Sequence, residues 1–211
     1  MIVIIDYGMG NLGSIANMLK KVKADAIVSS DPSTIEKADK LILPGVGAFD
    51  NGMRKLGDLG LIPVLNKRVL KDRVPILGLC LGMQLFFERS EEGVLPGLGW
   101  ITGDVVRFCI QKNEVLIKIP HMGWNDIQVR QHHRLFDGLE SEETRFYFVH
   151  SYYVVPALKN DILATSYYGV EFATAVIHEN IVGTQFHPEK SHKFGMRLFQ
   201  NFLEPSSAYQ T

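Results

Sequence analysis

Short, wholly apolar runs alternate with segments of helical period through the first half of the chain. Residues 2–5 read as a strand, 12–22 as a helix and 26–29 as a second strand. Asp31-Pro32-Ser33 is a turn that caps a short helix, and residues 40–43 form the next strand. Pro44-Gly45-Val46-Gly47 is a loop, a longer helix lies within 49–70, and 76–79 is a fourth strand. Strand and helix in alternation, with short connections, predict a parallel sheet covered by helices on both faces. Reactive groups in such sheets gather at the carboxyl ends of the strands. Asp6-Tyr7-Gly8, residues 44–47 and Cys80 all fall at that edge.

From residue 101 the period changes. Short strands with little helix between them are predicted at 105–108, 115–119, 146–149, 162–168, 173–178 and 181–185. They extend the sheet and add a smaller antiparallel layer. A last helix over 192–202 carries Phe194, Leu198, Phe199 and Phe202 on one face. Residues 204–211 read as a frayed tail. No repeat, linker or low-complexity block divides the chain, so 1–211 reads as one domain.

Bulk composition narrows the classes. The chain has 211 residues, 46% of them hydrophobic, enough for one well-cored domain or at most two small ones. A net charge of −1 offers no field to capture nucleic acid or an anionic membrane. The two cysteines, Cys80 and Cys109, sit in unlike contexts, which argues against a disulfide scaffold and suits a reducing cytoplasm. The opening apolar run lacks a basic leader and meets Asp6 too soon for a signal core, and no run is long enough to span a bilayer.

The strand 76–79 ends in Gly78-Leu79-Cys80-Leu81-Gly82-Met83-Gln84. That is the grammar of a nucleophile elbow, a strained strand-to-helix turn that holds a reactive side chain out at the end of a sheet. Flanking glycines answer the crowding, and the start of the following helix favours thiolate. The plain alternative is a buried structural cysteine. A rival motif stands at the front: Gly8-Met9-Gly10-Asn11-Leu12-Gly13 matches the dinucleotide-binding fingerprint, with Asp31 near the place of a ribose-binding acid. Asp31 serves equally well as a helix cap.

Gln185-Phe186-His187-Pro188-Glu189 supplies what the cysteine needs. His187 can take the thiol proton and return one to a leaving amine, and Glu189 can fix its tautomer. The intervening proline sets the turn that lets both point to one side. Adjacent His132 and His133 have no further ligand spacing and read as surface loop rather than metal. Cys109 and His178 read as ordinary strand residues.

The cysteine and histidine motifs together resemble the class I (triad) glutamine amidotransferases, a flavodoxin-like α/β family. Pro44-Gly45-Val46-Gly47, Pro120-His121-Met122-Gly123-Trp124-Asn125, Phe148-Val149-His150-Ser151-Tyr152 and Asp6-Tyr7-Gly8-Met9-Gly10-Asn11 are similar, within that class, to the glutaminase subunits of imidazole glycerol phosphate synthase, in histidine biosynthesis. The likeness runs to about residue 203.

The resemblance implies that Cys80 attacks the side-chain amide of glutamine and forms a thioester, with His187 and Glu189 completing the triad. It implies an oxyanion hole from the N–H of Leu81 and one from Gly45-Val46, the latter after a peptide rotation that glycines at 45 and 47 would ease. Gly47, Gln84, Glu92, Ser151 and Tyr152 would line the substrate pocket. Gln84 could instead be a solvated helix residue, and Glu92 surface charge. The implied partner is a cyclase with a (β/α)₈ barrel that receives the ammonia, docked over Asn11 and Trp124, although Trp124 could be ordinary core. No metal or cofactor is implied. A paralogous subunit feeding another synthase, such as one amidating a surface sugar, carries the same motifs. A nucleotide-binding protein built on Gly8, Gly10 and Gly13 is the third possibility.

Overall fold

The computed structural model describes residues 1–109, 118–139, 141 and 143–204. In chain order the strands and helices are β1 (Ile2–Ile5), α1 (Leu12–Lys21), β2 (Ala26–Ser29), α2 (Pro32–Ile35), β3 (Lys40–Leu43), α3 (Phe49–Asp58) and α4 (Leu61–Asn66). Then come β4 (Ile76–Leu79), α5 (Leu81–Gln84), β5 (Arg89–Ser90), β6 (Gly103–Arg107), β7 (His121–Asp126), β8 (Gln128–Val129) and β9 (Arg145–His150). The chain closes with β10 (Tyr152–Pro156), β11 (Ile162–Tyr168), β12 (Val170–His178), β13 (Ile181–Thr184) and α6 (His192–Leu203).

The main sheet has the order β2-β1-β3-β4-β13-β12-β10-β6-β5, with β11 on β12 and β8 on β11. Strands β2, β1, β3, β4 and β13 run parallel. The later strands β12, β10, β11 and β8 join antiparallel. A separate antiparallel ribbon pairs β7 with β9. This is the α/β sheet with a smaller antiparallel layer that the hydrophobic pattern predicts.

Alternation along the parallel strands feeds two cores. Val3 and Ile5 of β1 and Leu41 and Leu43 of β3 pack on one face with α3 and α4. Ile4 and Ile42 pack on the other with α1 and α6. Leu198, Phe199 and Phe202 of α6 are fully buried there, each contributing about 1.5–3 kcal/mol of transfer free energy. Asn11 Oδ1 accepts the Ser14 N–H at 3.2 Å to cap α1, and Lys20 and Lys21 complement its carboxyl end.

Several expectations change. The helix predicted within 49–70 breaks at Gly60, which takes a left-handed φ of 64° between α3 and α4. The helix after Cys80 is a single turn, so its dipole does little for the thiol. Cys109 lies past the end of β6 and is exposed rather than held in a strand. His133 is half-buried, not a loop surface, and its Nδ1 accepts the Leu135 N–H at 3.1 Å. The strand expected at 115–119 lies mostly outside the described residues, as does the tail beyond 204. Among the described residues, no helix is long and apolar enough to cross a membrane.

Candidate active site

Strand register assembles the site. β4 and β13 run side by side with Leu79 opposite Thr184. The next residues, Cys80 and Gln185, therefore emerge together at the carboxyl edge, with His187 two residues further on the same side. On the other flank Leu43 of β3 is level with Gly78, which delivers the 44–47 loop to the elbow.

Cys80 adopts φ 53° and ψ −108°, a strained conformation for a residue with a side chain. Its neighbours explain why the strain persists. The Cys80 N–H donates to the Thr184 carbonyl at 2.7 Å, and its own carbonyl accepts from Met83 and Gln84. A Cβ on Gly78 would lie 2.5 Å from the Phe86 ring, and one on Gly82 1.9 Å from the Leu43 carbonyl oxygen. Gly45 is pinned just as closely, since a Cβ there would meet Tyr7 Oη, the Gly82 nitrogen and Leu81 Cβ at 2.7–2.8 Å. Tyr7 Oη donates to the Pro44 carbonyl at 2.6 Å beneath that loop. Burial, then the nearby sulfur of Cys80, pushes the Tyr7 hydroxyl up beyond its ordinary range, so it remains a donor.

His187 and Glu189 stand within a turn anchored on three sides. The His187 N–H donates to the Tyr147 carbonyl at 2.9 Å, and Ser191 Oγ donates back to the His187 carbonyl at 2.7 Å. A Cβ on Gly195 would sit 1.8 Å from the Pro188 carbonyl oxygen, so α6 lies directly on the turn. His187 Nδ1 lies 2.8 Å from Glu189 Oε1, both side chains buried. Burial lowers the His187 pKa, but Cys80 and Glu189 together outweigh it and raise it to about 10. Nε2 is buried and makes no closed hydrogen bond, and the neighbouring Cys80 acts on it chiefly through charge. Catalytic pairs are often this loose before substrate arrives.

A cavity of about 440 Å³ opens over Cys80, and Val46, Gly47, Leu81, Gln84, Glu92, Ser151 and Tyr152 are all in its wall. Gly45 stands behind it. A hollow of similar size lined by Arg130, His132, His133 and Ser141 lies elsewhere, away from Cys80. Gln84 is buried, not solvated: its Nε2 donates to the Tyr152 carbonyl and to Gln185 Oε1, each at 3.1 Å. Glu92 is no stray surface charge, because its Oε2 accepts the Phe49 N–H at 2.9 Å at the start of α3. Asn11 is exposed beside the same sheet edge. Trp124 is 43% exposed and stacks on His192 with ring centroids 5.5 Å apart, so it is not core.

The front motif does other work. Both oxygens of Asp31 accept from Ser33 and Thr34, which caps α2 and lowers its pKa to about 2. The cap alone accounts for this carboxylate. Among the described residues no cluster of histidine, cysteine or carboxylate groups could hold a metal. Sequence reasoning missed Gln185, whose Nε2 donates to Cys80 Sγ at 3.6 Å. Strand alternation from His187 could have found it, since 185 and 187 share a side.

The family model for class-I glutamine amidotransferase matches residues 3–205. An imidazole glycerol phosphate synthase subunit HisH 2 from Methanococcus maripaludis is 55% identical, covering 97% of this chain and 99% of the relative. A second protein of that organism, subunit HisH 1, is 50% identical over 97% of this chain and 99% of its own length. Among solved structures, one described as a glutamine amidotransferase superposes with a TM-score of 0.70 at 20% identity, covering 97% of this chain and 98% of the other.

Proposed function

This chain belongs to the class I glutamine amidotransferases, and we propose that it is the glutaminase subunit of an imidazole glycerol phosphate synthase. The observation that carries the reading is the strained Cys80 held between Gly78 and Gly82, facing the buried His187–Glu189 pair across one sheet edge. Residues 1–211 act as one cytoplasmic domain.

The Cys80 thiol proton resides on His187, and the thiolate attacks the amide carbon of glutamine. The oxyanion is held by the Leu81 N–H, which as the first of α5 has no intrahelical acceptor. A second donor comes from Gly45-Val46 once that peptide turns inward. Losing one such donor costs roughly 10²–10³ in turnover. His187 returns the proton to the leaving nitrogen, ammonia departs and the thioester remains. Water then attacks, with His187 as base, and releases glutamate. Glu189 keeps the imidazole oriented and charged when it must be. The raised pKa of His187, about 10, keeps the acid form populated for the leaving group. Glu92, together with the carbonyl oxygen of Gln84, meets the substrate ammonium, while Gly47, Ser151 and Tyr152 complete the pocket.

Ammonia must reach its acceptor unprotonated, because ammonium is no nucleophile. The partner is a (β/α)₈ barrel cyclase docked over Asn11 and Trp124, which forms imidazole glycerol phosphate and aminoimidazole carboxamide ribotide. The experiment is a complex of this chain with such a cyclase. Cys80→Ala abolishes glutamine-driven cyclisation and leaves the ammonia-driven reaction intact; loss of both overturns this division of labour.

A second reading keeps the chemistry and changes the acceptor. One organism contributes two relatives, HisH 1 and HisH 2, so a subunit of this kind has room to serve a different synthase, such as one amidating a surface sugar. Glutamine hydrolysis that the histidine-pathway cyclase does not stimulate favours it.

A further inference from the structure

A line of hydrogen-bonded polar groups, half-buried at Asn125 and Tyr152 and buried at the other residues, runs from strand β7 to Cys80. Asn125 Nδ2 lies 3.3 Å from His121 Nε2, and His121 Nδ1 lies 3.0 Å from His150 Nε2. His150 Nδ1 lies 2.8 Å from the Tyr152 carbonyl. That carbonyl also accepts from Gln84, whose amide donates onward to Gln185 Oε1, and Gln185 Nε2 donates to Cys80 Sγ.

The ends of the line fix every proton in it. A carbonyl oxygen can only accept, so the proton of His150 is on Nδ1 and its Nε2 accepts. His121 must then donate from Nδ1 and accept at Nε2. Asn125 is oriented to give that hydrogen bond, because its Nδ2 also donates to the Tyr167 carbonyl at 3.0 Å and its Oδ1 accepts the Asp126 N–H at 2.9 Å. Both rings are neutral, in one tautomer. Burial agrees: His121 and His150 are 2% and 6% exposed, and desolvation holds both pKa values well below 6.5. His121 is clamped between Tyr168 and Phe148, with ring centroids at 4.0 and 4.7 Å. The outward residues of the same strand, Met122 and Trp124, are large, apolar and exposed.

We propose that His121 and His150 are positioning residues, a neutral hydrogen-bonded pair that ties the placement of strand β7 to the substrate wall at Tyr152 and Gln84 and, through Gln185, to the Cys80 thiol. The proposal rests on the glutaminase reading above and names the route by which pressure on the Met122–Trp124 face reaches the reacting sulfur. A shift of β7 moves His121, and the pair carries the shift to a carbonyl and two amides that have no other slack.

Two variants and one spectrum test it. Glutamine hydrolysis is measured for wild type, His121→Phe and His121→Gln, each with the cyclase partner present. Phenylalanine suits the aromatic surroundings but breaks the line, whereas glutamine can donate to His150 and accept from Asn125. His121→Phe is expected to lower kcat/KM about tenfold or more, and His121→Gln to stay within about threefold of wild type. A packing role predicts the reverse order, and that order overturns the proposal. Wild-type imidazole ¹⁵N spectra at neutral pH are expected to show both rings neutral with the proton on Nδ1. A protonated ring or the other tautomer overturns it whether or not the variants fold. A wild-type complex that hydrolyses no glutamine removes the glutaminase reading itself, a result distinct from either.

Discussion

Two glycine-punctuated turns leave parallel strands at the same sheet edge, and only one of them carries a thiol. In the front turn the glycines themselves take the unusual backbone: Gly8 has φ 75° and Gly10 φ 108°. In the elbow the unusual φ, 53°, belongs to Cys80, and Gly78 and Gly82 matter for the atoms they lack. A turn that keeps its left-handed residues as glycine stores no side-chain strain. A turn that forces the left-handed region on a cysteine is held by its surroundings and points the thiol where nothing else could. The same spelling, glycine on either side of a strand end, thus describes a relaxed connection and a loaded one.

Filling the elbow should break this contrast most violently. Gly82→Ala puts a methyl group against the Leu43 carbonyl oxygen, at 1.9 Å in the unrelaxed backbone. Neither side is a flexible chain end, so the β3 loop and the elbow must part. The expected destabilisation is about 3 kcal/mol or more by chemical denaturation, with glutamine hydrolysis down about 10²-fold in whatever folds. A variant that keeps both within a factor of two shows that the elbow is not under the constraint described.

The second difference is charge. The elbow faces a buried histidine, whereas the front turn meets the Asp6 carboxylate, which accepts the Gly8 N–H, and Lys55, whose Nζ donates to the Gly8 carbonyl. The His187 pKa is raised above 6.5 to about 10. A raised pKa means that the contribution to stability is complete below about pH 6.5 and declines as pH rises through about 10. In the proposed mechanism the same proton serves the leaving group, so kcat/KM for glutamine should fall on the alkaline side as His187 loses it, with a limb near pH 10. Glu189→Gln removes one of the two charges that hold the proton. Its alkaline limb should appear at lower pH, measured as kcat/KM against pH. An unmoved limb breaks the coupling of elbow to base.

Much of this was legible in the residues. The bounds of β1, β3 and β4 follow from apolar runs between turn residues, because buried strands leave that trace, and those of β2 and β11 follow from β-branched and aromatic residues between turns. Strands β7 and β10 left none that the pattern could show. β7 reads His-Met-Gly-Trp-Asn-Asp, and its burial alternates with polar groups on the buried side. Those polar groups are His121, buried, and Asn125, half-buried; each finds a partner across the fold, which no local period encodes. The Cys80 elbow and the His187–Glu189 pair were legible because each carries its own turn chemistry. For Gln185 alternation from His187 gives only the side it points to; its contact with Cys80 depends on the register of β13 against β4. The broken helix at Gly60 shows the limit from the other side: one glycine in a long apolar pattern outweighed the pattern.

The smallest expected effect is the sharpest test of the front turn. Gly13 is the second residue of α1, lacks a left-handed φ, and has open space where a Cβ would sit. A dinucleotide fingerprint needs its third glycine for close packing of helix against strand. This glycine has no such neighbour. Gly13→Ala should therefore stabilise the fold by about 0.4–1 kcal/mol, by restricting the unfolded chain and favouring the helix, and leave hydrolysis unchanged. Denaturant midpoints of the two proteins, with and without a dinucleotide, decide it. A loss of stability, or a dinucleotide that raises the wild-type midpoint alone, means that something packs on this turn after all. A gain leaves Gly8 and Gly10 as the glycines the backbone requires, and makes the third letter of the motif an accident of spelling.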